Sequence, residues 1–170
     1  GEGGFHPAPA SFLKAIREIC DEHGMLMIVD EVQSGFGRTG KMFAIEHSGV
    51  EPDLMTMAKS MAAGMPISAI VGTDKHMDAS GPNSLGGTYA GSPASCAAVL
   101  AVFEVFEQEN ILGKSQAVGE KLEKRFAQWE KRFECIENPR HLGAMAAVDL
   151  VTADGAPDAD LAAALCKRVR

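Results

Sequence analysis

Apolar and polar positions divide the chain into short apolar runs and longer stripes at helical spacing. Between Ser11 and His23, Phe12, Leu13, Ile16, Ile19 and Cys20 form one helical stripe, and Gly24 is placed to end that helix. The run "MLMIVD" that follows is apolar up to Asp30, a pattern suited to a strand covered on both faces. In "DLMTMAKSMAAGMP", Leu54, Met55, Met57 and Ala58 read as a second buried strand, with Lys59 set among apolar neighbours. "ISAIVGT" reads as a third strand, and "GPNSLGGTYAG" as a loop. Ser92 and Pro93 suit the N-cap and first position of a helix reaching about Glu109, whose Ala94, Ala97, Ala98 and Ala101 allow close packing. A further helix, from about Leu112 to Phe133, carries Val118, Leu122, Phe126, Trp129 and Phe133 on one face. "GAMAAVDLV" reads as a strand, and Asp158 to Arg170 as the start of a helix. Strands interleaved with helices predict an α/β domain.

Composition narrows the class. Of 170 residues, 46% are apolar and 23% charged, the balance of a globular protein. A net charge of −7 without a basic run argues against nucleic-acid or anionic-membrane partners. No apolar stretch approaches the roughly 20 residues that span a bilayer. The opening "GEGGFHPAPA" lacks a basic leader and an apolar core, so no signal peptide is expected. Cys20, Cys96, Cys135 and Cys166 form no CxxC pair, and no histidines lie at HExxH or HxH spacing. Reduced cysteines, no metal site and a cytoplasmic location are therefore expected. Both ends of the chain read as cut from something longer, "CKRVR" coming mid-helix without a cap. An internal fragment is expected.

Three nucleotide-binding patterns can be tested against their own mechanics. "LMIVDE" has the shape of a Walker B strand, and "GFGRTGK" matches most of a phosphate loop and also GxGxxG. A phosphate loop needs Ser or Thr after its lysine to hold magnesium, and that position is Met42. A dinucleotide fingerprint needs its glycines directly after the strand, but Asp30 and Glu31 intervene with negative charge. The glycines are better read as a tight, exposed turn.

Asp30 and Lys59 end consecutive apolar runs. A buried charge needs a partner, so one reading is a buried Asp30–Lys59 ion pair, or a lysine that snorkels out of the sheet. The other reading places both groups at the carboxyl ends of strands, where α/β sheets bind ligands. Pyridoxal 5'-phosphate uses this pair of groups: a lysine forms a Schiff base with its aldehyde, and a carboxylate keeps its pyridine nitrogen protonated. A desolvated lysine amine, its pKa lowered, would serve as both anchor and proton carrier.

At this point the residues resemble a known family. "IVDEVQSGFGRTGKMFAIEHSGVEPDLMTMAKSMAAGMP" is similar to the cofactor-attachment region of class III (omega-amino acid) aminotransferases, and the similarity extends from "GEGGF" through "LGGTYAGSP" into the following helices. "GGTYAGSP" and "VFEQENIL" look most like bacterial 4-aminobutyrate aminotransferases. The resemblance implies that Lys59 is the Schiff-base lysine and Asp30 the partner of the pyridine nitrogen. It implies that Val32 packs on the ring and that Gln33 hydrogen-bonds its phenolic oxygen. Thr88 would reach the cofactor phosphate of a neighbouring subunit in a homodimer, and Glu2 would pair with a substrate-binding arginine outside these residues. Without the family, Val32 reads as core, Gln33 as a solvated loop residue, Thr88 as a backbone-capping hydroxyl, and the glycines around Glu2 as an ordinary turn.

The implied fold is α/β, part of the fold type I large domain of pyridoxal-phosphate-dependent transferases (residues 1–111). The start of a small α+β C-terminal domain would follow (residues 112–170). The implied activity moves an amino group from an omega-amino acid such as 4-aminobutyrate to a 2-oxo acid such as 2-oxoglutarate. The alternatives are an ornithine, acetylornithine or diamine aminotransferase, an aminomutase, a nucleotide-binding domain, or a non-catalytic fragment. The 170 residues by themselves are expected to be inactive.

Overall fold

A computed structural model of the chain describes residues 1, 3–82, 84 and 86–169. Helix α1 (Ala10–His23) ends at Gly24, whose φ of +64° supplies the left-handed C-cap that the glycine predicts. Strand β1 (Ile28–Asp30) pairs in parallel with β2 (Leu54–Met57), and β2 pairs antiparallel with β3 (Ala69–Gly72), giving a mixed sheet in the order β1-β2-β3. The short helix α2 (Asp74–Met77) follows β3, and the longer α3 (Pro93–Glu109) and α4 (Ile111–Arg132) follow the loop after it. A second, two-stranded sheet is the antiparallel hairpin β4 (Ile136–Leu142) and β5 (Met145–Leu150), and α5 (Ala159–Arg168) comes last.

The core beneath the first sheet joins Cys20 of α1 to Met27 and Ile45, with Leu13, Ile16, Val29, Phe43 and Val50 packed around them. Only one side of this sheet is well covered. Ile28 is 59% exposed and Ile70 53%, so the expectation of a strand buried on both faces is corrected for β1, which is also shorter than the apolar run. Chain reversal at Gly24 leaves Met25 and Leu26 outside the ladder and about half exposed. The stripe on α4 is likewise only partly covered. Phe126 is buried and stacks on Trp129 at 5.5 Å, whereas Val118, Trp129 and Phe133 remain exposed.

Strand β4 carries Pro139, which cannot donate to a ladder. The strand tolerates it through a register shift between Glu137 and Arg140, with Asn138 at φ +50°. Ser92 precedes α3 without a side-chain cap bond, so its predicted capping role is not seen. Asp158 does cap α5, accepting from the Leu161 N–H at 2.8 Å.

The glycine loop between Gly35 and Lys41 is a turn, but a buried one. Gly37 (φ +82°) lies so close to Phe106 of α3 that a Cβ would come within 2.9 Å of its ring. The Gly40 carbonyl accepts from Gln116 Nε2 at 3.1 Å, and the Arg38 carbonyl accepts from the Ala144 N–H (2.9 Å) and the Ser115 hydroxyl (3.2 Å). This loop joins α3, α4 and the hairpin to the first sheet. Its backbone carbonyls are committed to that joint, which counts against reading the glycines as a phosphate loop.

Candidate active site

Parallel pairing sets the site. Asp30 lies opposite Thr56 in the β1–β2 register, and the Glu31 N–H extends the ladder to the Thr56 carbonyl at 2.9 Å. Asp30 therefore closes β1 at the same edge where β2 ends and Lys59 begins a 3-10 turn, Lys59–Ala62. Both residues open into one cavity of about 760 Å³, within the range of small-molecule sites.

Neither charge is buried. Lys59 is exposed to the cavity and Asp30 is exposed beside it, correcting the expectation that β2 would carry its lysine into the core. The strand stops at Met57, and the chain reverses with Lys59 in the left-handed region at φ +45°. For a residue with a Cβ, that conformation costs on the order of 1 kcal/mol or more and persists only where its surroundings impose it. Buried Met61 and Ala62 anchor the turn from below, and Arg38 donates to the Ser60 hydroxyl through Nε (3.3 Å) and Nη2 (3.1 Å). The buried ion pair is not present either: among the described residues no hydrogen bond or salt bridge joins Asp30 to Lys59. Asp30 Oδ1 accepts from the Val32 N–H at 2.9 Å, and Oδ2 faces no protein donor among them.

Val32 and Gln33 line the same cavity, so the structure gathers Asp30, Val32, Gln33 and Lys59. Thr88 sits in an exposed turn and is not part of the lining. Glu2 lies outside the described residues.

Sequence reasoning missed the group that holds this edge rigid. Glu31 is 1% exposed; its Oε1 accepts from the Ile45 N–H (2.8 Å) and its Oε2 from the Ser34 hydroxyl (2.5 Å). Glu31 follows the last residue of β1 and also lines the cavity, with its carboxylate taken up by those two donors. Also missed were the wall from Phe5 to Ala8, His47, whose Nε2 lies 3.1 Å from the Thr39 carbonyl, and Leu142 and Met145 of the hairpin.

The chemistry on offer is a primary amine and a carboxylate, neither engaged by the other, at one strand edge. They fit a cofactor that brings an aldehyde for the amine and a basic ring nitrogen for the carboxylate. The hydroxyls of Ser34 and Ser48 are spent internally, on Glu31 and on the Ile45 carbonyl, so they form no phosphate cradle.

Comparison with known proteins agrees with this chemistry. A family model described as Aminotransferase class-III matches residues 1–169. The chain is 53% identical over 150 residues to a 5-aminovalerate aminotransferase of Pseudomonas putida, covering 88% of this chain and 35% of that protein. It is 48% identical over 173 residues to a 4-aminobutyrate aminotransferase of Escherichia coli, covering 100% of this chain and 40% of that protein. Among solved structures, a transaminase from the marine bacterium Virgibacillus superposes with a TM-score of 0.88 at 33% identity over 96% of this chain and 39% of that one. A taurine:2-oxoglutarate aminotransferase from Bifidobacterium kashiwanohense, in complex with PLP and glutamate, gives 0.82 at 30% identity over 87% of this chain and 34% of that one. The chain thus spans about 35–40% of the length of these curated relatives.

Proposed function

The chain belongs to the class III aminotransferases, and from that membership we propose that its parent protein moves the amino group of an omega-amino acid to a 2-oxo acid. The donor is of the 4-aminobutyrate or 5-aminovalerate type, the acceptor of the 2-oxoglutarate type. The observation that carries the reading is the meeting of Lys59 and Asp30 at the carboxyl ends of two parallel strands in one cavity.

Pyridoxal phosphate, when bound, supplies an electron sink that acidifies the substrate C–H bond next to nitrogen. The chain's own residues do the rest. Lys59 Nζ would hold the cofactor through its aldehyde, and its free amine would be the base that takes the substrate proton and returns it. Its strained, exposed turn keeps the amine in the cavity rather than paired with a neighbour. Asp30 would keep the cofactor's ring nitrogen protonated through Oδ2, while Oδ1 is held by the Val32 N–H. Val32 would wall the ring, Gln33 would meet its phenolic oxygen, and Glu2 would pair with the substrate-binding arginine. Thr88 of one subunit serves the phosphate of the other, which makes the working protein a homodimer, here placed in the cytoplasm. On the same reading, residues 1–111 belong to the cofactor-binding domain and 112–170 to the small C-terminal domain.

The test is amino transfer by the purified parent protein with pyridoxal phosphate. The expected result is 2-oxoglutarate-dependent consumption of 4-aminobutyrate or 5-aminovalerate with formation of glutamate. Transfer confined to ornithine, acetylornithine or a diamine would move the assignment to another branch of the family. No transfer from any amine by a cofactor-loaded protein would end the reading.

A further inference from the structure

One wall of the cavity is a short turn whose backbone should not hold its own shape. Gly4 has φ +111° and Phe5, which carries a Cβ, has φ +50°, both in the left-handed region. Two local bonds close the turn, from the Gly4 and Phe5 N–H groups to the Gly1 carbonyl (3.0 and 2.9 Å). Phe5, His6, Pro7 and Ala8 from this stretch line the cavity.

The remaining support comes from far along the chain. Arg140 on β4 donates through Nε to the Gly4 carbonyl at 2.8 Å. The same guanidinium donates through Nη1 to the Asn138 carbonyl (2.9 Å) and through Nη2 to Asp149 Oδ1 on β5 (2.7 Å), with His6 Nε2 at 3.4 Å from Nη2. Asp149 is itself steadied by Asn138 Nδ2 at 3.1 Å. The β-bulge forced by Pro139 turns the Asn138 carbonyl back to Arg140. The Arg140 side chain is only 13% exposed, and its planar fork is used on three sides. The fit is tight: a Cβ on Gly4 would come within 2.7 Å of Nη2. The hairpin that carries Arg140 also contributes Leu142 and Met145 to the cavity lining.

We infer that Arg140 is a substrate-positioning residue: it locks the Phe5–Ala8 wall to the β4–β5 hairpin, so that both walls of the cavity hold one spacing although Arg140 touches neither substrate nor cofactor. This rests on reading the cavity as the amino-transfer site. Loosening a wall changes how substrate is held more than it changes the reacting groups at Asp30 and Lys59, which stand on a different edge.

The experiment compares wild-type parent holoenzyme with Arg140→Gln, Arg140→Lys and Asp149→Asn. Substrate kinetics are read beside cofactor absorbance and hydrogen exchange of the peptide covering residues 3–9. Arg140→Gln should raise KM for amino donor and oxo acid about tenfold with kcat within about threefold. Cofactor absorbance should be unchanged, and protection should be lost in residues 3–9 but not in β1. Arg140→Lys should fall between, because one ammonium cannot meet Gly4 and Asp149 together. Asp149→Asn, which leaves the Gly4 bond in place, should show the same pattern at smaller size and carries the test if Arg140→Gln does not fold. Unchanged KM and exchange in a variant with normal cofactor absorbance would overturn the inference while leaving the amino-transfer reading intact. A raised KM with residues 3–9 still protected would also overturn it, since Arg140 would then act on substrate by another route. If the wild type transfers no amine, the underlying reading fails, and exchange alone still decides whether Arg140 holds the turn.

Discussion

At the amino ends of β1 and β2 a carboxylate is surrounded by partners, whereas at their carboxyl ends a carboxylate and an amine share a cavity unpaired. Asp53 Oδ2, just before β2, accepts from Arg17 Nη1 and from the Met27 N–H, both at 2.7 Å, and His76 Nδ1 stands 3.9 Å from Oδ1. Arg17 is held in turn by Asp21 at 2.6 Å. The Arg17 guanidinium, helped by the Met27 amide, keeps the Asp53 carboxyl below the usual carboxylate range, and Asp53 correspondingly raises Arg17. This end ties α1 to the sheet. At the other end Asp30 Oδ2 and Lys59 Nζ have no protein partner among the described residues, and Lys59 sits in a strained backbone region. On the proposed function these groups meet a cofactor and exchange a proton, so they cannot be saturated beforehand. The same two strands would then carry their stability at one end and their chemistry at the other.

Substitutions at the two ends should separate along that line. Lys59→Ala in the parent protein should lower turnover by on the order of 10⁴-fold, because one amine is both anchor and proton carrier, while the melting temperature stays near that of wild type. A large loss of melting temperature there would break the contrast. Asp30→Asn should lower turnover by about 10²–10³-fold with only modest loss of cofactor affinity, since an amide cannot stabilise a protonated ring nitrogen as a carboxylate does. Near-normal turnover would make Asp30 a structural residue.

Glu31, one position on, should behave like the stability end. Glu31→Ala leaves the Ile45 N–H and the Ser34 hydroxyl without their acceptor in a buried place, a loss of about 2–4 kcal/mol in chemical denaturation. Glu31→Gln keeps one acceptor oxygen and should lose less.

The smallest effect belongs to Asp53→Asn, a drop of about 2–4 °C in melting temperature at neutral pH with turnover unchanged. Its pH dependence has a definite sign. Because the folded pKa of Asp53 lies below the unfolded value of about 3.9, its contribution is fully present above that value and is lost as pH falls through the folded one. Asp149, depressed by Arg140, acts in the same direction. Melting curves of wild type and Asp53→Asn should converge below about pH 4; a gap that widens there would contradict the assignment.

Much of this was legible in the chain, and the failures have physical causes. Helices α1 and α4 follow from apolar spacing and α3 from Ser92, Pro93 and its small residues, while Asp30 and Lys59 stand out as charges ending apolar runs and Val32 and Gln33 only through the family resemblance. Strand β4 was not legible because Asn138 and Pro139 break the alternation and a bulge absorbs them. The exposure of Lys59 was misread because hydropathy records apolar neighbours but not the reversal of the backbone at φ +45°. The glycine loop was recognised as a turn, but its burial depends on Phe106 and Gln116, some 70 residues further on, which no local pattern reports. Asp53 belongs to no motif; its partners come from α1, the residue before β1 and α2 and are brought together only by folding.

The central claim is that Lys59 is the amine that takes the cofactor. Borohydride reduction of the parent protein's pyridoxal phosphate complex, followed by peptide mapping, tests it directly. A stable pyridoxyl adduct should appear on the peptide carrying Lys59, and disappear in Lys59→Ala. An adduct on Lys41 or Lys75 instead, with Lys59 unmodified, would contradict the account.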